Sequence, residues 1–365
     1  MINVTRPYLP EREKLDEYID SIYETSILTN NGPLVQELTK RLQEYLGVEN
    51  LLLVSNGTVA LQIAYRVFSL SGQAITTPFS FVATTSSLVW ERIEPVFVDI
   101  DPETLCMDPS KIEDAITSRT TAIVPVHVFG NSCEVEQISK IASERDLKVI
   151  YDGAHAFGVQ YKGKSLLAYG DATTLSFHAT KLFHTIEGGA IIFKDRDAYN
   201  KARLMINFGI DNSNSVVGVG INAKMNEFQA AMGLCVLDEI GTIMTERKNI
   251  WHQYQKSLEG LLKFIKYNPS ASNNYSYVPV LLESEEVLLE IKDEMNKQGI
   301  NPRRYFFPSL DTLPYMNSQS LKYISGDISK RIMCLPIYPG MSSGEVQSVI
   351  KVIESCLSAK YATIK

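Results

Sequence analysis

Short apolar runs alternate with amphipathic stretches between residues 51 and 152, and no other feature of the sequence restricts the fold as much. LLLVS (51–55) has the length and composition of a buried strand; Asn56-Gly57-Thr58 and an amphipathic stretch to residue 68 follow it. The same order recurs: strands at 74–77, 95–99, 121–127 and 149–152, with helices at 81–91, 109–116 and 134–145 between them. Strand–helix–strand repetition of this kind predicts an α/β fold with a mainly parallel sheet covered by helices on both faces. In such open sheets, ligands gather beyond the carboxyl ends of the strands. The glycine turn after the first strand also aims helix N-terminal amides at whatever sits there.

Apolar residues at helical spacing predict a helix over 34–46, stopped at Gly47. Downstream, 173–193 reads as two strands joined by a turn that ends in Gly188-Gly189. Helices follow at 195–207 and 226–240, separated by a loop over 209–222 rich in Gly, Asn and Ser, and another helix is expected at 245–262. Strands near 275–281 and 331–335 and helices at 285–298 and 344–357 describe a compact α+β cap. For a chain of 365 residues this suggests a large domain over 1–245 and a smaller one over 246–365.

A net charge of −7 with no basic cluster argues against nucleic acid as a partner. The first residues are too polar for a secretory leader and no apolar run approaches a membrane span, so no membrane partner is expected. Five cysteines, scattered and never in a CxxC pair, fit reduced thiols in the cytoplasm. Metal catalysis has no support, since there is neither an HExxH motif nor a calcium loop.

Lys181 stands out because it lies on the turn between two buried strands. A desolvated lysine loses its proton readily and attacks carbonyls, which is how Schiff-base lysines arise. This predicts pyridoxal 5′-phosphate as its partner, a coenzyme that also needs an anion beside its pyridine nitrogen and a nest for its phosphate. Asp152, ending the strand KVIYD, is the candidate anion; a strand-end aspartate capping the next turn is the alternative. GVQYKGKS (158–165) matches GxxxxGK[ST], but only four residues separate it from Gly170-Asp171 and the next strand, too few for the helix a P-loop requires. It reads as a surface hairpin. Arg303, Arg304 and Tyr305 form a basic–aromatic group that either contacts a diphosphate or base or is a solvated turn.

The segments SNGTVAL (55–61), DGAHAFG (152–158), SFHATKLFHTIEGGAI (176–191) and GINAKMNEFQAA (220–231), in that order, resemble the DegT/DnrJ/StrS sugar-nucleotide aminotransferases. The likeness extends from TRPYLP (5–10) to CLPIYPGM (334–341). It implies the fold type I of pyridoxal-phosphate-dependent transferases, like aspartate aminotransferase, with 1–245 as the coenzyme-binding large domain. It implies the Schiff base for Lys181 and the pyridinium partner for Asp152. His155 would sit beside the ring hydroxyl, where the family often has glutamine. Gly57, Thr58 and Ser176 would bind the phosphate, with Asn222 arriving from the neighbouring subunit of a homodimer. Phe81 would stack on the ring, unless it is an ordinary core aromatic. Thr29, Arg303 and Tyr305 are the substrate-side candidates. His178, His184 and Glu187 are expected to be structural. The implied reaction is transamination between L-glutamate and a nucleotide-linked keto sugar. The segments TNNGPLVQELTKRL (29–42) and RRYFFPSL (303–310) look most like the branch that converts dTDP-4-keto-6-deoxy-D-glucose into dTDP-4-amino-4,6-dideoxy-D-glucose for O-antigen. A 3-keto sugar transaminase is the close rival, and a non-catalytic sensor on the same fold is the reading from another class.

Overall fold

The computed structural model describes residues 1–212, 215–316 and 324–363. Seven strands form the central sheet: β1 (Asn50–Val54), β2 (Gln73–Thr76), β3 (Glu94–Phe97), β4 (Thr120–Val124), β5 (Lys148–Asp152), β6 (Ala172–Ser176) and β7 (Gly189–Phe193). Their spatial order is β1-β7-β6-β5-β4-β2-β3. Pairings among β2 to β6 are parallel, whereas β7 runs antiparallel to both β6 and β1. A parallel return needs a crossover, usually a helix, and the segment between Ser176 and Gly189 holds none, so β7 comes back against its neighbour. One consequence matters for the site: β1, β5 and β6 all end at the same edge of the sheet.

The apolar run of β1 reflects burial on both faces. Leu51 and Leu53 join the core that contains Leu34, Leu38 and Leu42, while Leu52 and Val54 join the opposite core with Ala60, Leu61 and Ala64. Flanking helices are α1 (Arg12–Thr25), α2 (Pro33–Leu46), α3 (Gly57–Val67), α4 (Val82–Trp90), α5 (Glu227–Asp238) and α6 (Ile240–Leu258). Helix α1 is not marked by any strong sequence pattern; it packs only Leu15, Tyr18 and Ile22 against the core. The N-terminus of α2 follows Gly32, which has no capping side chain. Its cap comes from α5 instead: the buried Glu227 carboxylate accepts the Leu34 N–H at 2.7 Å and the Val35 N–H at 3.1 Å.

Helix α6 bridges two cores. Ile240 and Ile243 belong to the main core, while Ile250, Trp251, Tyr254 and Leu258 belong to a second one. That second core is built on the antiparallel strands β8 (Lys263–Phe264), β9 (Pro279–Leu281) and β10 (Ile332–Cys334), with helices Glu285–Lys297 and Ser343–Thr363. Ile2–Asn3 pairs in parallel with Ile300–Asn301, so the first residues also pack on this side. The strand expected at 275–281 is shorter because Tyr275 has a φ of 54°, outside the extended region. Residues 109–116 divide into a 3₁₀ turn and one turn of α-helix. The P-loop-like segment is a hairpin, Gln160–Tyr161 against Lys164–Ser165, turning through positive φ at Lys162 and Gly163. Among the described residues no helix is long and apolar enough to cross a membrane.

Candidate active site

Strand ends and loops enclose a cavity of about 580 Å³ at the carboxyl edge of the sheet. Gly57, Thr58, Phe81, Asp152, His155, Ser176 and Lys181 all line it, as do Arg303 and Tyr305 from the C-terminal part of the chain. Residues widely separated in sequence meet here because β1, β5 and β6 run in the same direction.

Helix α3 begins at the cavity. Asn56 caps it by accepting the Val59 N–H at 2.9 Å, and the first amides, Gly57 and Thr58, lie outside the helix's own bonding. Such amides are an anion site. Close approach is required there: a Cβ on Gly57 would lie 2.9 Å from Ser176 Cβ. Opposite, Phe81 at the N-cap of α4 is 51% exposed and lines the cavity, which favours a ring-stacking role over an ordinary core position.

Asp152 is buried and held from two sides. Thr84 donates its hydroxyl to Oδ2 at 2.7 Å and the Ala154 N–H donates to Oδ1 at 3.1 Å. Thr84 in turn lies 2.7 Å from the Ser80 hydroxyl. Together the two donors fix the orientation of the carboxyl group. Sequence reasoning passed over Thr84 and Ser80, and nothing local points from the start of α4 to the end of β5.

His155 Nδ1 accepts the Phe129 N–H at 3.1 Å, which leaves Nε2 to carry the proton. Its ring stacks on Phe306 at 5.8 Å with an interplanar angle of 5°. Burial, with the nearby Lys181 amine adding to it, pushes the imidazole pKa well below its usual value, so this histidine is a neutral donor.

Lys181 follows β6 on the loop to β7. Burial lowers its pKa, opposed by the charges of Asp152 and Tyr305, so the amine is easier to deprotonate than a surface lysine. Its Nζ lies 3.4 Å from the Tyr277 hydroxyl, a contact across 96 positions of sequence that sequence reasoning missed. The other turn residues have hydrogen-bond or ion-pair partners, and two of them, His178 and Glu187, also line the cavity. His184 Nε2 pairs with the Tyr8 carbonyl at 2.8 Å, and His178 bonds Thr180 at 2.7 Å with Glu187 at 3.6 Å. On the cap, Arg304 turns away to pair with Glu285 at 2.6 Å, while Arg303 lies over the Tyr305 ring and faces the cavity. Two candidates lie outside it: Thr29 and Asn222 are exposed, and Asn222 forms a bridge with Asn207.

Residues 10–354 match the DegT/DnrJ/EryC1/StrS aminotransferase family. The chain is 42% identical over 359 residues to the dTDP-4-amino-4,6-dideoxy-D-glucose transaminase of Shigella dysenteriae, covering 96% of this chain and 98% of that one. It is 39% identical to the transaminase of the same name from Escherichia coli, with 96% and 98% covered. Among solved structures, that of DesI in the presence of its TDP-sugar product superposes with a TM-score of 0.92 at 31% identity, covering 98% of this chain and 93% of that one. Helicobacter pylori PseC, an aminotransferase involved in pseudoaminic acid biosynthesis, gives 0.89 at 25% identity, with 98% and 99% covered. The large, mainly parallel sheet with its flanking helices is a fold type I architecture. By sequence and by fold, this chain belongs to the DegT/DnrJ/EryC1/StrS aminotransferase family.

Proposed function

We propose that the cavity binds pyridoxal 5′-phosphate and that the chain transfers the amino group of L-glutamate to C4 of dTDP-4-keto-6-deoxy-D-glucose. The products are 2-oxoglutarate and dTDP-4-amino-4,6-dideoxy-D-glucose. The observation that carries this reading is one cavity lined by a desolvated lysine, a doubly hydrogen-bonded aspartate, free helix amides and an open aromatic face. The substrate rests on the two dTDP-4-amino-4,6-dideoxy-D-glucose transaminases to which the chain is 42% and 39% identical.

Lys181 Nζ would hold the coenzyme's aldehyde carbon, and Asp152 its pyridine nitrogen. Gly57, Thr58 and Ser176 would hold the phosphate, Phe81 the ring face, and the His155 Nε2–H the ring hydroxyl. When bound, the coenzyme supplies an electron-withdrawing ring that drains charge from a carbon losing its proton. The chain's part is to move that proton. Released Lys181 Nζ, easier to deprotonate because it is buried, takes it from the α carbon of glutamate and delivers it across the site; with the keto sugar the transfer runs in reverse. Thr84 and the Ala154 amide fix the position and orientation of the Asp152 carboxyl group. Arg303 and Tyr305 face the cavity from the cap and suit the diphosphate of the sugar nucleotide.

The partner surface is a second copy of the chain. Phe208, Val217, Val219, Ile221 and Phe228, on the segment around Asn222, are exposed in the single chain. Covering them with a homodimer would bring Asn222 towards the neighbouring site. The enzyme would work in the cytoplasm, where its five free cysteines stay reduced.

The test is incubation with L-glutamate and a panel of dTDP-, UDP- and GDP-linked 3-keto and 4-keto sugars, with NMR of the amino product. The expected product is dTDP-4-amino-4,6-dideoxy-D-glucose. Amination at C3, or preference for another nucleotide, refutes the substrate. A Lys181→Ala variant that still transaminates, or still fixes coenzyme on borohydride treatment, refutes the catalytic assignment.

A further inference from the structure

Tyr277 has no part in the site as read from the sequence, yet it makes a side-chain hydrogen bond with the Lys181 amine. Nζ donates to its hydroxyl at 3.4 Å across 96 positions of sequence, from the large domain to the segment leading into β9. The tyrosine ring is fixed: its centroid is 4.6 Å from that of His155 and 5.5 Å from that of Phe129, and Tyr305 stands at 90° to it at 5.8 Å. The backbone beside it is tied down as well. Asn274 donates its side-chain amide to the His155 carbonyl at 2.8 Å and the Phe157 carbonyl at 3.0 Å, and its Oδ1 accepts the Ser276 N–H at 3.2 Å. From the other side, Arg247 on α6 donates to the Ser276 carbonyl at 3.2 Å.

Arg247 is itself unusual. It is 3% exposed, and among the described residues no carboxylate pairs with it and its Nε has no partner. A buried cation kept at this cost, directly behind Ser276 and Tyr277, points to a segment whose position matters. Burial also keeps the Tyr277 phenol protonated.

We propose that Tyr277 is a positioning residue for Lys181. Its hydroxyl oxygen accepts a hydrogen bond from Nζ and holds the amine at the angle from which it exchanges protons with the substrate carbon. The proposal rests on the assignment of Lys181 as the proton carrier. When neutral Nζ takes the proton from the carbon it becomes an ammonium, still donating to the phenol oxygen; on returning the proton it is neutral again. Tyr277 keeps its own proton throughout. Misplacement of the amine by a fraction of an ångström is costly in such transfers, and a rigid acceptor removes that freedom.

Tyr277→Phe keeps the ring and removes the hydroxyl, and two readouts test it. The first uses apoenzyme: the pH dependence of Lys181 modification by trinitrobenzenesulfonate, followed by peptide mass spectrometry, reports the pKa of the amine. The groups facing that amine are Asp152 and His155 at the end of β5, His178 and Glu187 on its own loop, and Tyr277, Arg303 and Tyr305 from the cap, with Arg247 behind. Of these the variant removes only one acceptor to the ammonium, so the pKa should fall further, by about one unit. The second uses holoenzyme with α-deuterated glutamate. The turnover number should drop about 10- to 100-fold with a larger primary isotope effect, while KM for the sugar nucleotide changes by less than about threefold. An unchanged lysine pKa together with a wild-type isotope effect overturns the proposal. Borohydride trapping separates the two levels: coenzyme fixed on Lys181 in both proteins upholds the underlying assignment, whereas failure in the wild type removes that assignment and this inference with it.

Discussion

Gly57→Ala puts the coenzyme reading to a quantitative test, because two effects of opposite sign compete at that position. Gly57 opens α3 with a backbone that alanine adopts without strain, so the usual gain of alanine over glycine in a helix, about 0.5–1 kcal/mol, applies. Against it stands the contact. The new methyl would lie 2.9 Å from Ser176 Cβ and 3.2 Å from Ser176 Cα. Carbon atoms settle at about 3.5–4.0 Å, so the start of α3 must withdraw from the end of β6 by roughly 0.6–1 Å. Overpacking of this kind costs about 1–3 kcal/mol, which exceeds the helical gain. The same displacement carries the Gly57 and Thr58 amides away from any phosphate held between α3 and Ser176. A hydrogen bond of about 2.9 Å lengthened that far is largely lost, at about 1.5–3 kcal/mol for a charged acceptor. The dissociation constant for pyridoxal 5′-phosphate should therefore rise about 10- to 150-fold. Absorbance titration of apoenzyme measures it, with pyridoxal lacking the phosphate as the control. Pyridoxal should bind wild type and variant within about threefold, since its contacts do not include the amides. Wild-type affinity for the phosphate form, or an equal loss for both ligands, would show that α3 is not the phosphate site.

Phe81→Ala should leave thermal stability within about 1 kcal/mol of wild type while weakening coenzyme binding about 3- to 10-fold, the worth of a ring stack; a loss of 3–5 kcal/mol in stability would mean a core aromatic after all. Glu227→Ala removes both acceptors of the α2 N-terminus and should cost about 2–4 kcal/mol in urea denaturation, with Glu227→Gln recovering part of it; a cost below about 1 kcal/mol would sink the capping role. Acid sensitivity should come in part from His127, stacked 4.5 Å from Tyr151 and with its pKa lowered to about 3 by burial. The unfolded chain takes up a proton below its ordinary value of 6.5 while the folded chain does not. Stability is then full above that pH and falls at about 1.4 kcal/mol per unit down to about 3. His127→Phe should flatten the dependence of unfolding free energy on pH between 6 and 4 by about that slope, and an unchanged slope refutes the argument.

Much of this protein is decided locally. Four consecutive apolar residues, Leu51 to Val54, can be buried only if both faces of their strand are covered, and Gly57 after them makes the turn into α3. Lys181 and Asp152 stand out in the sequence because one lies on the turn between two buried strands and the other ends a buried strand, and a polar group in either place needs water or chemistry. Tertiary structure decided the rest. Whether Phe81 belonged to the core or to the cavity depended on what α4 left uncovered. Thr84 reaches Asp152 over 68 positions, Glu227 reaches Leu34 over 193, and Tyr277 reaches Lys181 over 96. Separations of that size leave no period in a sequence, because helix and strand repeats describe only which side of one element is buried. The partner across the gap is set when the sheet order brings distant elements together, and that order is a property of the packed whole.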